Sequence, residues 1–187
     1  MKIKNKKIAK KNSRKNNKVN KNLLEEIIRV DQAGELGATK IYAGQLAIFG
    51  KNSKIGKKIQ HMADQEQKHI ITFNNLIVEK KVRPTLMMPL WNILGYSLGI
   101  TTALMGKKAA MACTVAVESV IGKHYNKQTK QLGNDQKKLK NTIKKFEKDE
   151  LEHHDIGLEH NAKNALGYNL MTKIISAGCK TAIEISK

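Results

Sequence analysis

Glu66-Gln67-Lys68-His69 and Glu150-Leu151-Glu152-His153 are the two stretches on which the reading of this chain turns. Each sets a glutamate and a histidine three residues apart, so on an α-helix both side chains leave one face and reach the same point. One such motif alone is weak, because Glu and His are ordinary residues of solvated helices. The surroundings say more. Met62, Glu66, His69, Phe73 and Leu76 fall on one helical stripe, and Ile143, Phe146, Glu150, His153 and Gly157 fall on another. Ionisable side chains stand where apolar ones belong. A carboxylate removed from water without a partner is costly, so both stripes predict pairing or metal binding.

Working outward, two further carboxylates sit on apolar stripes. Glu35 falls with Leu24, Ile28, Ala38 and Tyr42, and the small residues Ala33, Gly34, Gly37 and Ala38 around it would let neighbouring helices come close. Glu118 falls with Met111, Val115, Gly122 and Tyr125, and is the only acidic residue between Glu79 and Asp135. The spacing repeats: Glu35 to Glu66 is 31 residues and Glu118 to Glu150 is 32, while Glu35 to Glu118 is 83 and both Glu66 to Glu150 and His69 to His153 are 84. Two helix pairs therefore each supply Glu…Glu-x-x-His. Four glutamates and two histidines in a bundle core are the ligand set of ferritin-like carboxylate proteins that hold two irons or manganeses. Oxygen-rich ligands with two imidazoles suit those metals better than structural zinc.

The rest of the chain fits an all-α protein: a ferritin-like four-helix bundle with an added membrane-interfacial helical segment and a C-terminal helix. Its 187 residues suffice for one well-filled core. Its two prolines, Pro84 and Pro89, stand close together and leave long Pro-free stretches on either side. Helical periodicity predicts core helices over 23–49, 53–80 with Ser53 as N-cap, 107–131 and 135–163, and a final amphipathic helix over 168–186. From Pro84 to Gly106 run 23 residues without a charge. That length makes a transmembrane candidate. Pro89, Asn92, the glycines and the hydroxyl residues favour a helix that lies on or dips into a membrane face; a buried hairpin arm of the soluble core stays open.

The net charge of +19 is unevenly placed. Residues 1–22 carry ten Lys/Arg and no acid, so residues 23–187 carry 35 − 10 = 25 basic and 16 acidic residues, or +9. A Lys/Asn run of this kind cannot bury apolar surface and reads as a disordered basic arm, 1–22, ahead of a helical domain, 23–187. Such an arm suits an anionic membrane surface or nucleic acid, or is simply a solvated tail. It lacks an apolar secretory core and the Ser/Arg richness of a transit peptide. Cys113 and Cys179 are too few and too far apart for a disulfide framework, which fits a reducing compartment.

Arg29-Val-Asp-Gln-Ala-Gly-Glu35, with Gly37-Ala38 and Ile41-Tyr-Ala-Gly44 after it, resembles the first helix of the demethoxyubiquinone hydroxylases of ubiquinone biosynthesis. So do Asp64-Gln-Glu66-Gln-Lys-His69, Ala116-Val-Glu118-Ser, His124-Tyr-Asn126 and Asp149-Glu-Leu-Glu-His-His-Asp155-Ile-Gly157, in the expected order over about residues 24–187. Gln32 stands where many members have His, and the Lys-rich arm lies outside the resemblance. The resemblance implies a monooxygenase that hydroxylates the ring of demethoxyubiquinol with O₂. It implies two iron ions per chain on Glu35, Glu66, His69, Glu118, Glu150 and His153, with NADH as electron source. It further implies peripheral attachment to the cytoplasmic face of a bacterial membrane, or to the matrix face of the mitochondrial inner membrane. A homo-oligomer or contacts with other ubiquinone-biosynthesis proteins are open, and no nucleic-acid partner is expected.

His124 and Tyr125 follow Glu118 by about two turns and are candidates for lining a substrate pocket or relaying an electron. Asp31 and Asp149, each four residues before a proposed ligand, are either acceptors for the ligand histidines or exposed carboxylates. Asp155 is a candidate for holding a ligand or helix end in place; His61 and His160 read as surface histidines. Two rival functions remain: a ferritin-like iron-storage or ferroxidase protein, which needs no uncharged 84–106 segment, and a basic nucleic-acid-binding protein, which leaves the carboxylates on apolar stripes unexplained.

Overall fold

The computed structural model describes residues 19–187, so the basic arm lies outside the described residues except at its end. There the first helix, α1 (Lys21–Phe49), takes in Lys21 and Asn22, because the Asn20 side chain accepts a hydrogen bond from the Asn22 N–H and caps it. The other helices are α2 (Lys54–Lys80), α3 (Met88–Leu104), α4 (Lys107–Gln131), α5 (Lys137–Glu159) and α6 (Tyr168–Ile185). No strand occurs among the described residues.

The helix ends follow local chemistry. Ser53 caps α2 through a 2.9 Å hydrogen bond from the Gly56 N–H. Pro89 sits in the first turn of α3, where its missing N–H costs nothing. Gly106, at φ 105°, makes the turn from α3 to α4 in a conformation that disfavours any side chain. The fourth core helix is shorter than the expected 135–163. Asn134–Gln136 form a 3-10 turn before it, and Asn161 adopts a left-handed conformation at φ 62° that ends it before a second 3-10 turn at Ala162–Asn164. Asn tolerates this conformation better than most residues, which periodicity alone does not register.

α1 packs on α2, α4 packs on α5, and the two pairs face each other. Two apolar clusters hold the bundle. One contains Tyr42, Ile59, Met62, Met111, Val115 and Ile156; the other contains Ile28, Phe73, Ile77, Tyr125, Ile143 and Phe146. Along α2, Met62 belongs to the first cluster and Phe73 to the second, so Glu66 and His69 lie between the two.

α3 crosses α1 at backbone distance. A Cβ on Gly99 would fall on the Ile41 carbonyl, and one on Gly44 would fall on the Tyr96 carbonyl. Glycine is required at both positions for the helices to meet. The uncharged segment is thus clamped to the bundle along Gly95, Gly99, Thr102 and Ala103, while Leu90, Ile93, Leu94 and Leu104 remain exposed. No helix among the described residues is long and apolar enough to cross a membrane. α6 packs on α4 and contributes Trp91–Ser186 closure: the indole N–H of α3 donates to the Ser186 hydroxyl at 3.0 Å.

Candidate metal centre

The six residues singled out by spacing come together at the middle of the bundle. Glu35, Glu66, His69 and Glu150 each offer a ligand atom within 4.8 Å of the others, and so do Glu66, Glu118, Glu150 and His153. The two foursomes share Glu66 and Glu150. Each adds one glutamate of its own, Glu35 or Glu118, and one histidine, His69 or His153. The arrangement is two-fold symmetric in residue type, as the 83–84 residue offset anticipates. None of the six is more than 3% exposed.

The donor set fits two cations. Eight buried atoms of these residues have no hydrogen-bond partner: Glu35 Oε2, both oxygens of Glu66, His69 Nδ1, Glu118 Oε2, both oxygens of Glu150 and His153 Nδ1. An orphaned buried polar atom costs about 1–3 kcal/mol, so eight aimed at one place demand a common partner. Four carboxylates carry four negative charges, which two divalent ions neutralise.

The titration behaviour agrees. Burial pushes the Glu35 carboxyl well above the usual carboxylate range, and the neighbouring Glu66 charge adds to it. Burial and Glu150 do the same to Glu118. Burial would raise Glu66 as well, but the approaching His153 and His69 outweigh it and hold Glu66 below the usual range. Burial would lower His153, but Glu150 and Glu66 raise it to about 10, and His69 is raised by Glu150 and Glu35. As protein groups alone, the cluster holds protons where a metal centre holds cations.

Both histidines turn Nδ1 inward. His69 Nδ1 lies 3.2 Å from Glu150 Oε1 and 3.3 Å from Glu35 Oε2, and His153 Nδ1 lies 3.0 Å from Glu66 Oε1. Their Nε2 atoms point outward. His69 Nε2 donates to Asp149 Oδ2 at 3.1 Å and His153 Nε2 donates to Gln65 Oε1 at 2.9 Å. An outward N–H engaged in this way fixes the tautomer and leaves Nδ1 free as a ligand.

The terminal glutamates are held by tyrosines. The Tyr125 hydroxyl donates to Glu35 Oε1, and the Tyr42 hydroxyl donates to Glu118 Oε1 at 2.6 Å. Tyr125 therefore touches a proposed ligand. Tyr42 escaped notice in the sequence because it reads as one more residue of an apolar stripe. Its signal was present: Tyr42 and Tyr125 are 83 residues apart, the same offset as Glu35 and Glu118.

Other expected positions fall elsewhere. His124 touches none of the six; its Nε2 lies 2.8 Å from Gln128 Nε2 and 3.7 Å from Asp31 Oδ1, and burial together with Lys127 lowers it to about 4. Asp31 is buried but serves Gln128, whose amide donates to Oδ1 at 2.6 Å, and not a ligand histidine. Asp149 does serve a ligand histidine. Asp155 is exposed and meets only His154, at 3.0 Å. His61 is at the surface, 3.1 Å from Glu152, as read.

An apolar groove of about 360 Å³ runs between α1, α3, α4 and α6, and none of the six lines it. Gly34 and Ala38 line it next to Glu35, and Val117 and Ile121 line it next to Glu118. Neither His124 nor Tyr125 lines it. A Cβ on Gly34, Gly37 or Gly178 would meet nothing within 4 Å. The small residues around Glu35 were expected to admit a neighbouring helix. They do so at Gly37, where a Cβ on Gly95 of α3 would lie 2.8 Å from the Gly37 carbonyl oxygen, while the Cβ directions of Gly34 and Gly37 themselves stay open on the groove side.

The family model of the ubiquinone biosynthesis protein COQ7 matches residues 22–186. The NADPH-dependent 3-demethoxyubiquinone 3-hydroxylase of Dictyostelium discoideum is 55% identical over 172 residues, covering 90% of this chain and 79% of the relative. The human protein of the same name is 53% identical over 168 residues, 88% of this chain and 77% of the relative. The 3-demethoxyubiquinol 3-hydroxylase of Rhodospirillum rubrum is 47% identical over 165 residues, 88% of this chain and 78% of the relative.

Proposed function

This chain belongs to the family of the ubiquinone biosynthesis protein COQ7, and from that membership we propose that it is the monooxygenase that hydroxylates the ring of demethoxyubiquinol. The observation that carries the reading is the pairing of a buried Glu₄His₂ cluster with an apolar groove along the same two helices. An iron-storage protein of the same bundle class has no use for such a groove.

Two iron ions are proposed on Glu35, Glu66, His69, Glu118, Glu150 and His153, where they would supply the reduction of O₂. One oxygen atom enters the ring and the other leaves as water, with two electrons and two protons consumed. The protein's own groups do the rest. Glu66 and Glu150 face both ligand sets and are suited to bridge them. Tyr42 and Tyr125 hold Glu118 and Glu35 in orientation through their hydroxyls. The two apolar clusters above and below exclude bulk water from the ligands.

The groove is proposed to seat the prenylated quinol, its ring directed between α1 and α4 past Gly34 and Gly37. The exposed apolar face of α3 is proposed to rest in the membrane surface, which leaves the prenyl tail within the bilayer. The protein is then peripheral, on the cytoplasmic face of a bacterial membrane or the matrix face of the mitochondrial inner membrane; the names of several relatives carry the word mitochondrial. A nicotinamide cofactor is proposed as electron source, NADH by the sequence resemblance and NADPH by the relatives' names.

The test is quinone analysis of a strain that accumulates demethoxyubiquinone and expresses this chain, beside iron content of the purified protein. Conversion to ubiquinone with two irons per chain supports the proposal. Iron-loaded protein without conversion would leave only the metal centre standing and favour the storage reading.

A further inference from the structure

The inner ligands of the centre are symmetric, but the groups that hold its histidines are not. Each foursome has one terminal glutamate, two shared glutamates and one histidine, and each terminal glutamate accepts a tyrosine hydroxyl. The residue just before each shared glutamate anchors the opposite histidine: Asp149 takes His69 Nε2 at 3.1 Å, and Gln65 takes His153 Nε2 at 2.9 Å. These two anchors stand 84 residues apart, at the same offset as the ligands, yet one is a carboxylate and the other an amide. Gln65 is fixed in turn by Glu152, to which its amide donates at 3.4 Å. So Gln65 presents its oxygen inward, and its neutral dipole is all that His153 receives.

We propose that Asp149 and Gln65 make the two metal positions chemically unequal, the position served by His69 binding a divalent ion more tightly than the position served by His153. This rests on the proposed metal-binding reading of the six ligands. A carboxylate accepting the outward N–H draws that proton toward itself and makes the imidazole a stronger donor through Nδ1; an amide oxygen does so less. Removing such an anchor costs about 10- to 100-fold in metal affinity. Among the hydrogen bonds that hold the ligands, the tyrosines are matched between the two positions, and the anchors are the difference that remains. Asp149→Asn should therefore level the positions by weakening one, and Gln65→Glu should level them by strengthening the other.

Cobalt(II) titration of the full metal-stripped chain, followed by its visible absorption, reads both positions without turnover. The wild type should bind in two steps whose dissociation constants differ by about tenfold or more. Asp149→Asn should weaken the tighter step by about 10- to 100-fold and leave the weaker one in place. Gln65→Glu should tighten the weaker step alone, and it serves as an independent arm if Asp149→Asn fails to fold. Two equal steps in the wild type, or equal weakening of both steps by Asp149→Asn, would overturn the proposal. Failure to bind two cobalt ions at all would instead strike the reading of the six ligands.

Discussion

Glu118→Gln separates what the centre costs from what it does. The amide keeps the size of the carboxylate, and its oxygen still accepts the Tyr42 hydroxyl. Its nitrogen takes the place of Oε2, an orphaned atom whose charged neighbours include Glu150 and Glu66, and donates toward those carboxylates. In the metal-free protein this change should stabilise. The Glu118 carboxyl is raised well above its unfolded value by burial and by Glu150. A group whose pKa is raised on folding loses stability as pH climbs above the unfolded value, at about 1.4 kcal/mol for each unit over which the folded chain keeps the proton. Over one to two units that is about 1–3 kcal/mol, or a melting temperature higher by roughly 2–10 °C for a chain of this size. The advantage should be near zero at pH 4.5 and grow toward neutrality. With iron(II) present the order reverses. The wild type loses its burden and gains ligand-linked stability, whereas the variant lacks one ligand charge and gains little. Anaerobic thermal melts of both proteins between pH 5 and 8, with and without iron(II), decide the matter. If the metal-free proteins melt together across that range, or iron(II) raises both alike, the argument fails.

Three further outcomes follow from the same structure. Gly37→Leu places a side chain where nothing stands within 4 Å of a Cβ, so it should leave melting and iron content unchanged or slightly improved; KM for a prenylated quinol should rise at least tenfold, and an unchanged KM would argue against the groove as its seat. Gly99→Ala drives a Cβ onto the Ile41 carbonyl and should destabilise by about 1–3 kcal/mol, the opposite sign, seen as a lower denaturant midpoint. Ile93→Asp on the exposed face of α3 should abolish partition onto anionic lipid vesicles while a short-tailed soluble quinol is still turned over; retained partition would place the membrane contact elsewhere.

The six-residue cluster was legible because buried carboxylates and imidazoles on core stripes need partners, and because the spacing repeats. The supporting residues were less so. Asp149 and Asp31 occupy the same position relative to a proposed ligand, four residues before it, yet only Asp149 meets a ligand histidine. The difference is which helix stands opposite: Asp149 faces α2 and His69, while Asp31 faces α4 and Gln128. Sequence spacing gives the face of one helix and says nothing of its partner across the bundle. Tyr42 was hidden for the same reason. A tyrosine on an apolar stripe reads as core until the opposing Glu118 is seen. The end of α5 was misplaced because Asn161 tolerates a left-handed turn without requiring one.

The duplicated core also explains where the asymmetry must lie. Two equivalent helix pairs cannot by themselves give the centre two different sides. The added elements do. α3 joins the pairs and α6 follows the second, and both pack on the α1 and α4 side, where they wall the groove beside Glu35 and Glu118. On the α2 and α5 side no further helix packs on the bundle among the described residues. There the anchors of the histidines lead outward: Asp149 is partly exposed, and Gln65 leads through Glu152 to His61, both about half exposed at the surface. The groove side is thus apolar, and the side of the histidine anchors is polar and reaches the surface. A reaction that joins an apolar ring to O₂ while consuming protons needs both sides and needs them apart, since a groove open to water would not hold a prenylated ring. The departure from symmetry at Gln65 and Asp149 sits on the side away from the groove, so the proposed metal positions would be tuned there without disturbing the groove.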